Sequence, residues 1–469
     1  MKFYITTSIA YTNAYPHIGF ALELLQADVI ARHKRRSCDV FFLTGTDEHG
    51  TKIAHAAKEN GMEPREFVED ITGKVKELTE KLCISNDDFI CTTDKEKHWP
   101  GVFDVWKKLS ESGDIYKKHY KGLYCKGCEE FKRKKDLVEG KCVYHDKEPQ
   151  ETEEENYFFR LSRYKEQIKR LIESDELRII PESRKKEILS FMKEGLEDVS
   201  ISRSRETLSW GIPVPGDDDQ TIYVWVDALT NYISALGYGR DEELFSKYWP
   251  CDVHCVGKDI LRFHALIWTG MLLSAGITPP REILVHGFIT VEGRKMSKSL
   301  GNVIDPLALL EEHHVDAVRY FFLREVPVTA DGDFSESRFK ERYNADLADG
   351  LGNLLSRSIA LANKKGVDKA NGTQEIKRKT EEVLHSSMSL IDNYKLNEAL
   401  EKIWELIHFA DRYIERERPW EEGKEEVVES LLYMLLALAD MIAPFMPWTS
   451  EEVQRRVEKK EKGGLFPKT

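Results

Sequence analysis

Short apolar, β-branched runs alternate with stretches of helical spacing through the first hundred residues. "KFYITTSIAY" is followed by helical spacing from Ala21 to Arg35, and "DVFFLTGTDEHG" by a second helix from Glu63 through Leu82. This alternation predicts a parallel sheet with covering helices. The rhythm breaks between about Tyr116 and Ser200, where charge runs, a cysteine cluster and a long helical stretch, Tyr164 to Ser174, intervene. It resumes at "TIYVWVDAL", "CDVHCVGKDILRFHALIW" and "ILVHGFITVEGRK". From about Phe339 strand signals vanish, and helical periodicity runs through "ADGLGNLLSRSIALANKK", "NEALEKIWELIHFADRYIERE" and "VVESLLYMLLALADMIAPFM". The expected architecture is one α/β domain split around an insertion, followed by an all-α domain.

A chain of 469 residues exceeds a single core and implies about two to four domains. Net charge is −13, which argues against indiscriminate nucleic-acid binding. Three basic clusters stand against that background: "RHKRR" (Arg32 to Arg36), "KKHYK" (Lys117 to Lys121) and "KRKK" (Lys132 to Lys135). They fit brief contact with a nucleic acid, and they fit solvated helix faces equally well. The N-terminus lacks the layout of a signal peptide. The longest apolar run, "LLYMLLALA", ends at Asp440, far short of the roughly 20 residues a membrane span needs. The expectation is a cytoplasmic protein with no membrane contact.

Cys38, Cys83, Cys91, Cys251 and Cys255 share no spacing and read as inert thiols. Cys125 and Cys128 form a two-residue-spaced pair, and Cys142 and His145 a second. Two such pairs of soft ligands suit one tetrahedral Zn²⁺ in a closed, structural site. With four protein ligands and no open position, the ion fixes a small fold and does no chemistry.

Two further motifs carry chemistry. "PHIGF" places His17 and Gly19 where a strand gives way to a helix. A helix N-terminus offers N–H groups and partial positive charge to a phosphate, and His17 can donate to a phosphate oxygen. A histidine in that place also serves as an ordinary helix cap, and the pentapeptide alone leaves both readings open. "GRKMSKSLGN" sets Lys295 and Lys298 three residues apart among small and hydroxyl residues. Two ammonium groups on a loop can follow charge as it builds on a transferring phosphoryl group.

The "PHIGF" turn with "KMSKS" late in the same split α/β domain resembles the class I aminoacyl-tRNA synthetases. "ITTSIAYTNAYPHIGF", "GTDEHGTKI", "YVWVDAL", "GKDILRFHALIW", "VHGFITVEGRKMSKS" and "RYIERERPW" narrow the resemblance to the methionyl-tRNA synthetase family, in its zinc-knuckle branch, over nearly the whole chain. The resemblance implies a Rossmann-like catalytic domain split by a zinc-binding insertion. Its first half covers 1–115, the insertion 116–200 (knuckle about 125–145), and the second half with the KMSKS loop 201–300. A linking region follows at 301–338, then an all-α anticodon-binding domain at 339–469.

The implied activity is activation of methionine by ATP, with Mg²⁺, to methionyl-adenylate and pyrophosphate. Transfer to the 3′-terminal adenosine of initiator and elongator tRNA(Met) completes it. Neither step demands a protein nucleophile, so positioning and charge stabilisation carry the catalysis. By the same resemblance His17, Lys295 and Lys298 are catalytic, and His17, Gly19, Phe20, Gly257, Asp259, Ile289 and Lys298 bind ATP. Asp47 partners the α-ammonium group, and Ser8, Ile9, Tyr11, Trp225, Ala228, Leu229, Tyr232, Ile260 and His264 form the pocket. A thioether suits such aromatic edges, and the Tyr232 hydroxyl or the His264 imidazole is placed to offer sulfur a weak hydrogen bond. Leu229 stands where many relatives carry proline. Asn353 and Arg357, one helical turn apart, and Trp420 meet the CAU anticodon.

Phe20 replaces the second histidine of the turn. Losing one hydrogen bond to a charged group, about 1.5–3 kcal/mol, slows an enzyme about ten- to a hundredfold without abolishing it. The insertion is too short for the editing domain of the valine, isoleucine and leucine enzymes. A silent tRNA-binding relative is disfavoured by the intact lysine pair, and a small nucleotidyltransferase by the helical domain. No oligonucleotide-binding domain follows "EKGGLFPKT", so a monomer is expected.

Overall fold

The computed structural model describes residues 1–125, 130–132, 137–143, 146–296 and 301–468. It divides into two compact units. The first comprises Met1–Pro16, Ser37–Glu77 and Asn86–Val285, and the second His17–Arg36, Leu78–Ser85 and His286–Thr469.

The first unit is organised by a seven-stranded sheet. Its strands are β1 (Lys2–Thr6), β2 (Ala10–Tyr11), β3 (Asp39–Asp47), β4 (Asp88–Cys91), β5 (Arg178–Ile180), β6 (Val253–Gly257) and β7 (Glu282–His286). They lie in the order β5-β7-β6-β1-β3, with β2 and β4 both pairing with β3. β1 runs parallel to β3 and β6, β5 to β7, and β3 to β2 and β4. β3 is buried along all but its first residue, as the continuous apolar run "VFFL" demands of a strand covered on both faces. Gly45 is required there, because a Cβ would come within 2.1 Å of the Ile90 carbonyl oxygen on β4. Any side chain would push the two strands apart.

β5 falls inside the stretch 116–200, so that stretch supplies one strand of the parallel sheet. Its remaining strands are antiparallel: Ile115–Cys125 pairs with Gln150–Phe159 along its length, and that strand pairs in turn with Val199–Ser200. The helix Lys165–Glu173 lies within the helical run read at Tyr164 to Ser174. The basic cluster 117–121 is on this hairpin and is met by acids. Lys117 pairs with Asp217 at 2.6 Å, His119 with Glu155 at 3.6 Å and Lys121 with Glu151 at 3.7 Å. It is an ion-pair ladder of modest individual worth.

The second unit is helical. It contains α1 (Ile18–Lys34), α2 (Val315–Glu325), α3 (Asn353–Lys365), α4 (Gln374–Asp392), α5 (Leu396–Glu417), α6 (Glu425–Ile442) and α7 (Pro447–Lys459). α1 packs on α2 and α4, and α3 to α7 pack on one another. α1 is buried nearly all round, including Glu23, Gln26 and Asp28, so its polar residues need partners inside. Asp28 finds one in Arg319 of α2, with Oδ2 accepting from Nη2 at 2.6 Å. The same fully buried guanidinium donates to the carbonyls of Leu82, Pro444 and Phe445. The basic cluster 32–36 serves this unit too: Arg32 pairs with Asp28, His33 and Lys34 with Asp392, and Arg36 with Asp440. These ties within the unit are a role that neither of the two readings left open for the cluster gave it. The third cluster, Lys132 to Lys135, lies mostly outside the described residues. Among the described residues no helix is long and apolar enough to cross a membrane.

Candidate active site

In the first unit the expected site residues Ser8, Tyr11, Asp47 and Gly257 lie at the carboxyl ends of the sheet's strands, the edge where open α/β sheets bind ligands. Ser8 follows β1 and its N–H donates to the Cys255 carbonyl of β6 at 3.0 Å. Tyr11 on β2 pairs in register with Asp47, the last residue of β3. Gly257 ends β6, and its carbonyl accepts from Ile260 N–H at 3.2 Å, which closes the turn that carries Asp259.

The helix Val224–Ser234 carries Trp225, Ala228, Leu229 and Tyr232, the last three of them buried. Trp225 stacks on Phe263 with ring centroids 3.7 Å apart and planes 10° from parallel. Tyr232 Oη lies 2.7 Å from His264 Nε2, and His264 Nδ1 lies 3.0 Å from the Ile260 carbonyl oxygen. A carbonyl only accepts, so the imidazole proton sits on Nδ1, and Nε2 accepts from the tyrosine hydroxyl. Both hydrogens are therefore committed within the protein. That arrangement differs from the expectation that Tyr232 or His264 donates to a thioether sulfur, since each is hydrogen-bonded within the protein.

In the second unit His17 caps α1 from an extended backbone (φ −120°, ψ 171°), with Nδ1 accepting from Gly19 N–H at 3.0 Å. Its proton thus resides on Nε2. The first-turn N–H groups have protein acceptors: Ile18 donates to the Ile304 carbonyl, Gly19 to the His17 ring, and Phe20 and Ala21 to the His17 carbonyl. This differs from the expectation of N–H groups presented to a phosphate: the histidine ring bends back onto Gly19 N–H, and backbone carbonyls take the other three. Of the two readings left open for this residue, the cap is the one the structure shows. Glu23, farther along α1, accepts from His286 Nε2 at 2.6 Å, while His286 Nδ1 donates to the Gly287 carbonyl at 2.8 Å. That ties α1 to the segment leading into the lysine loop.

Ile289 is buried on the strand Ile289–Val291, which pairs antiparallel with Arg294–Lys295. Asn302 Nδ2 donates to the Lys295 carbonyl at 3.1 Å, pinning the base of the loop, and the Lys295 side chain is exposed. Lys298 lies outside the described residues. So do Cys128 and His145 of the expected zinc set, whereas Cys125 and Cys142 are buried at strand ends. Among the described residues no group of three or more His, Cys, Asp or Glu could hold a metal ion. Two buried thiols are the soft half of the donor set that Zn²⁺ takes.

Asn353 opens α3 and is exposed; Arg357, one turn on, pairs with Asp411 of α5 at 3.5 Å. Trp420 follows α5 past Arg418, whose φ is +49°, and is 50% exposed. It is not a core tryptophan.

Comparison with known proteins decides the family. The family described as "tRNA synthetases class I (M)" matches residues 3–144 and 132–359, and the "Anticodon-binding domain of tRNA ligase" matches 373–465. A methionine–tRNA ligase of Thermotoga maritima is 45% identical over 98% of this chain and 76% of its own length. The chain belongs to the methionyl-tRNA synthetases. A methionine–tRNA ligase of Brucella suis is 41% identical over 96% of this chain and 91% of its own. Mycobacterium tuberculosis methionyl-tRNA synthetase in complex with methionyl-adenylate superposes with a TM-score of 0.94 at 37% identity, over 99% of each chain. As a methionyl-tRNA synthetase, the chain has the split α/β and helical architecture that its strand–helix rhythm predicted.

The structure adds polar residues that motif reading passed over. Asp227, His49 and His98 form a buried cluster in the first unit, and Asp28 with Arg319 another in the second. Asp227, Asp28 and Arg319 were each present as one charge inside an apolar run, "YVWVDAL", "LLQADVI" and "AVRYFFL".

Proposed function

We propose that the chain is a methionine–tRNA ligase that forms methionyl-adenylate from methionine and ATP and passes methionine to tRNA(Met). The observation that carries this is family membership along almost the whole length, with the family's substrate and lysine motifs intact. Asp47 pairs with the α-ammonium group, and Trp225, Tyr232, Ile260 and His264 shape the side-chain pocket with Ser8, Ile9, Tyr11, Ala228 and Leu229. Gly257, Asp259, Gly19, Phe20 and Ile289 contact ATP, and Mg²⁺ accompanies the phosphates. His17 donates from Nε2, and Lys295 and Lys298 neutralise charge on the phosphates as the α-phosphorus is attacked. The attacking methionine carboxylate oxygen displaces pyrophosphate, and a terminal ribose hydroxyl then displaces AMP.

Asn353, Arg357 and Trp420 read the CAU anticodon, an exposed indole being a stacking surface for an unpaired base. Cys125, Cys128, Cys142 and His145 hold one structural Zn²⁺. The protein works in the cytoplasm as a monomer. Charging of tRNA(Met) transcripts tests the reading. Methionine should load onto the CAU transcript and fail on one whose anticodon is changed at its first base. Equal charging of both would refute the anticodon assignment.

A further inference from the structure

A carboxylate lies fully buried in the helix Val224–Ser234 between pocket residues. Asp227 Oδ2 accepts from His49 Nδ1 at 2.7 Å, and its Oδ1 accepts from His98 Nε2 at 2.7 Å. His98 Nδ1 is 2.7 Å from Ser234 Oγ, about two turns along the same helix. Burial alone would raise the Asp227 pKa; the two imidazoles, His49 foremost, hold it below the usual carboxylate range.

His49 stands two residues after Asp47, and everything between them is pinned as well. The Glu48 carboxylate accepts from the hydroxyls of Thr46, Thr72 and Thr93, its N–H donates to Thr92 Oγ1 at 2.8 Å, and its carbonyl accepts from Trp210 Nε1. His49 N–H points back at Asp47 Oδ1 from 3.5 Å. Of three successive polar residues, two are anchors for the first.

We propose that His49, Asp227 and His98 are positioning residues for methionine: Asp227 locks the segment directly after Asp47 to the helix that carries Trp225, Ala228, Leu229 and Tyr232. The carboxylate for the α-ammonium group and the wall for the side chain then keep a fixed separation. Stability alone does not call for this cluster, since buried ionic groups replaced by well-packed apolar ones are often neutral or better for stability. A rigid separation, by contrast, is what binding a small zwitterion at two points requires, and a misplacement of about 1 Å can cost about a hundredfold in rate.

The inference rests on Asp47 and the Tyr232 helix being the methionine site, so the test separates the two. Steady-state ATP–pyrophosphate exchange is measured on the full chain for His49→Leu, His49→Asn and Asp47→Ala. Asparagine keeps a donor at the Nδ1 position; leucine does not. His49→Leu should raise the methionine KM about tenfold, with kcat and the ATP KM within about twofold, and His49→Asn should return it to within about threefold of wild type. An unchanged methionine KM in His49→Leu, or a joint decline of kcat and both KM values, overturns the inference while an Asp47→Ala defect upholds the site. An unchanged methionine KM in Asp47→Ala overturns the site reading itself. Should His49→Leu lose its melting transition, His49→Gln, with its donor displaced to the Nε2 position, takes its place beside His49→Asn. Equal KM values in that pair overturn the inference.

Discussion

Gly19→Ala separates the capping and the catalytic duties of His17. Gly19 does not have the positive φ that would forbid a side chain, so alanine is conformationally allowed. The objection is steric. A Cβ there would meet His17 Cε1 at 2.8 Å and Nδ1 at 2.9 Å, while Ile289 Cγ2 stays at an ordinary 3.8 Å. The imidazole must swing away, losing its acceptance from Gly19 N–H and moving the Nε2 proton. A helix cap contributes about 1 kcal/mol, and alanine in place of glycine returns up to about 1 kcal/mol in helix propensity, so stability should change little. Catalysis should not be spared. A hydrogen bond to a charged group is worth about 1.5–3 kcal/mol, and at about 1.36 kcal/mol per tenfold adenylate formation should slow about ten- to a hundredfold.

Rapid-quench measurement of methionyl-adenylate in a single turnover reads this step without product release. The decisive comparison is a double-mutant cycle with His17→Ala. Once the ring is gone, Gly19→Ala should cost almost nothing more. If Gly19→Ala costs the same with and without His17, or leaves the wild-type rate unchanged, the ring is not the donor and the reasoning fails.

Arg319→Met should destabilise the protein by about 3 kcal/mol, because it leaves the buried Asp28 carboxylate with only Arg32 and Ser85 as partners and takes a charged donor from three carbonyls. Burial raises the Asp28 pKa, but Arg319, Arg32 and Ser85 together hold it below its ordinary value. Its contribution is therefore complete above the unfolded aspartate value of about 3.9 and is lost as pH falls through the folded one. Urea titrations across pH should show acid unfolding of Arg319→Met setting in at higher pH than wild type; coincident profiles would contradict this. Trp420→Ala should raise the tRNA KM in charging, by the roughly 1–3 kcal/mol of one stacked base, and leave tRNA-independent exchange unchanged. Metal analysis of the purified chain should find one zinc, and a Cys125→Ser and Cys142→Ser double variant should lose it.

The architecture was legible because its strands are continuous apolar runs and its long helices keep a clean period. β3 and α5 announce themselves in "DVFFLTGTD" and in the stripe from Leu396 to Ile414. β5 did not, since three residues ending in front of Pro181 carry too little pattern to mark a strand of a parallel sheet. Site residues with a motif around them, such as Asp47 in "GTDEHG", could be placed; those whose task is to hold others could not. Asp227, Asp28 and Arg319 were hidden in the same way: each is one charge in an apolar run, and the partner that makes it tolerable comes from far along the chain. The self-capping of His17 was likewise invisible, because "PHIGF" looks the same whether the ring points at a ligand or back at Gly19.

Amino-acid-driven ATP–pyrophosphate exchange on the purified chain, without tRNA, tests the central claim most directly. Methionine should drive exchange despite Phe20, and leucine and isoleucine should fall below it by at least the roughly 10- to 200-fold that an apolar pocket of this kind can discriminate. A folded protein that exchanges with none of the three, or with leucine as well as with methionine, would contradict the account.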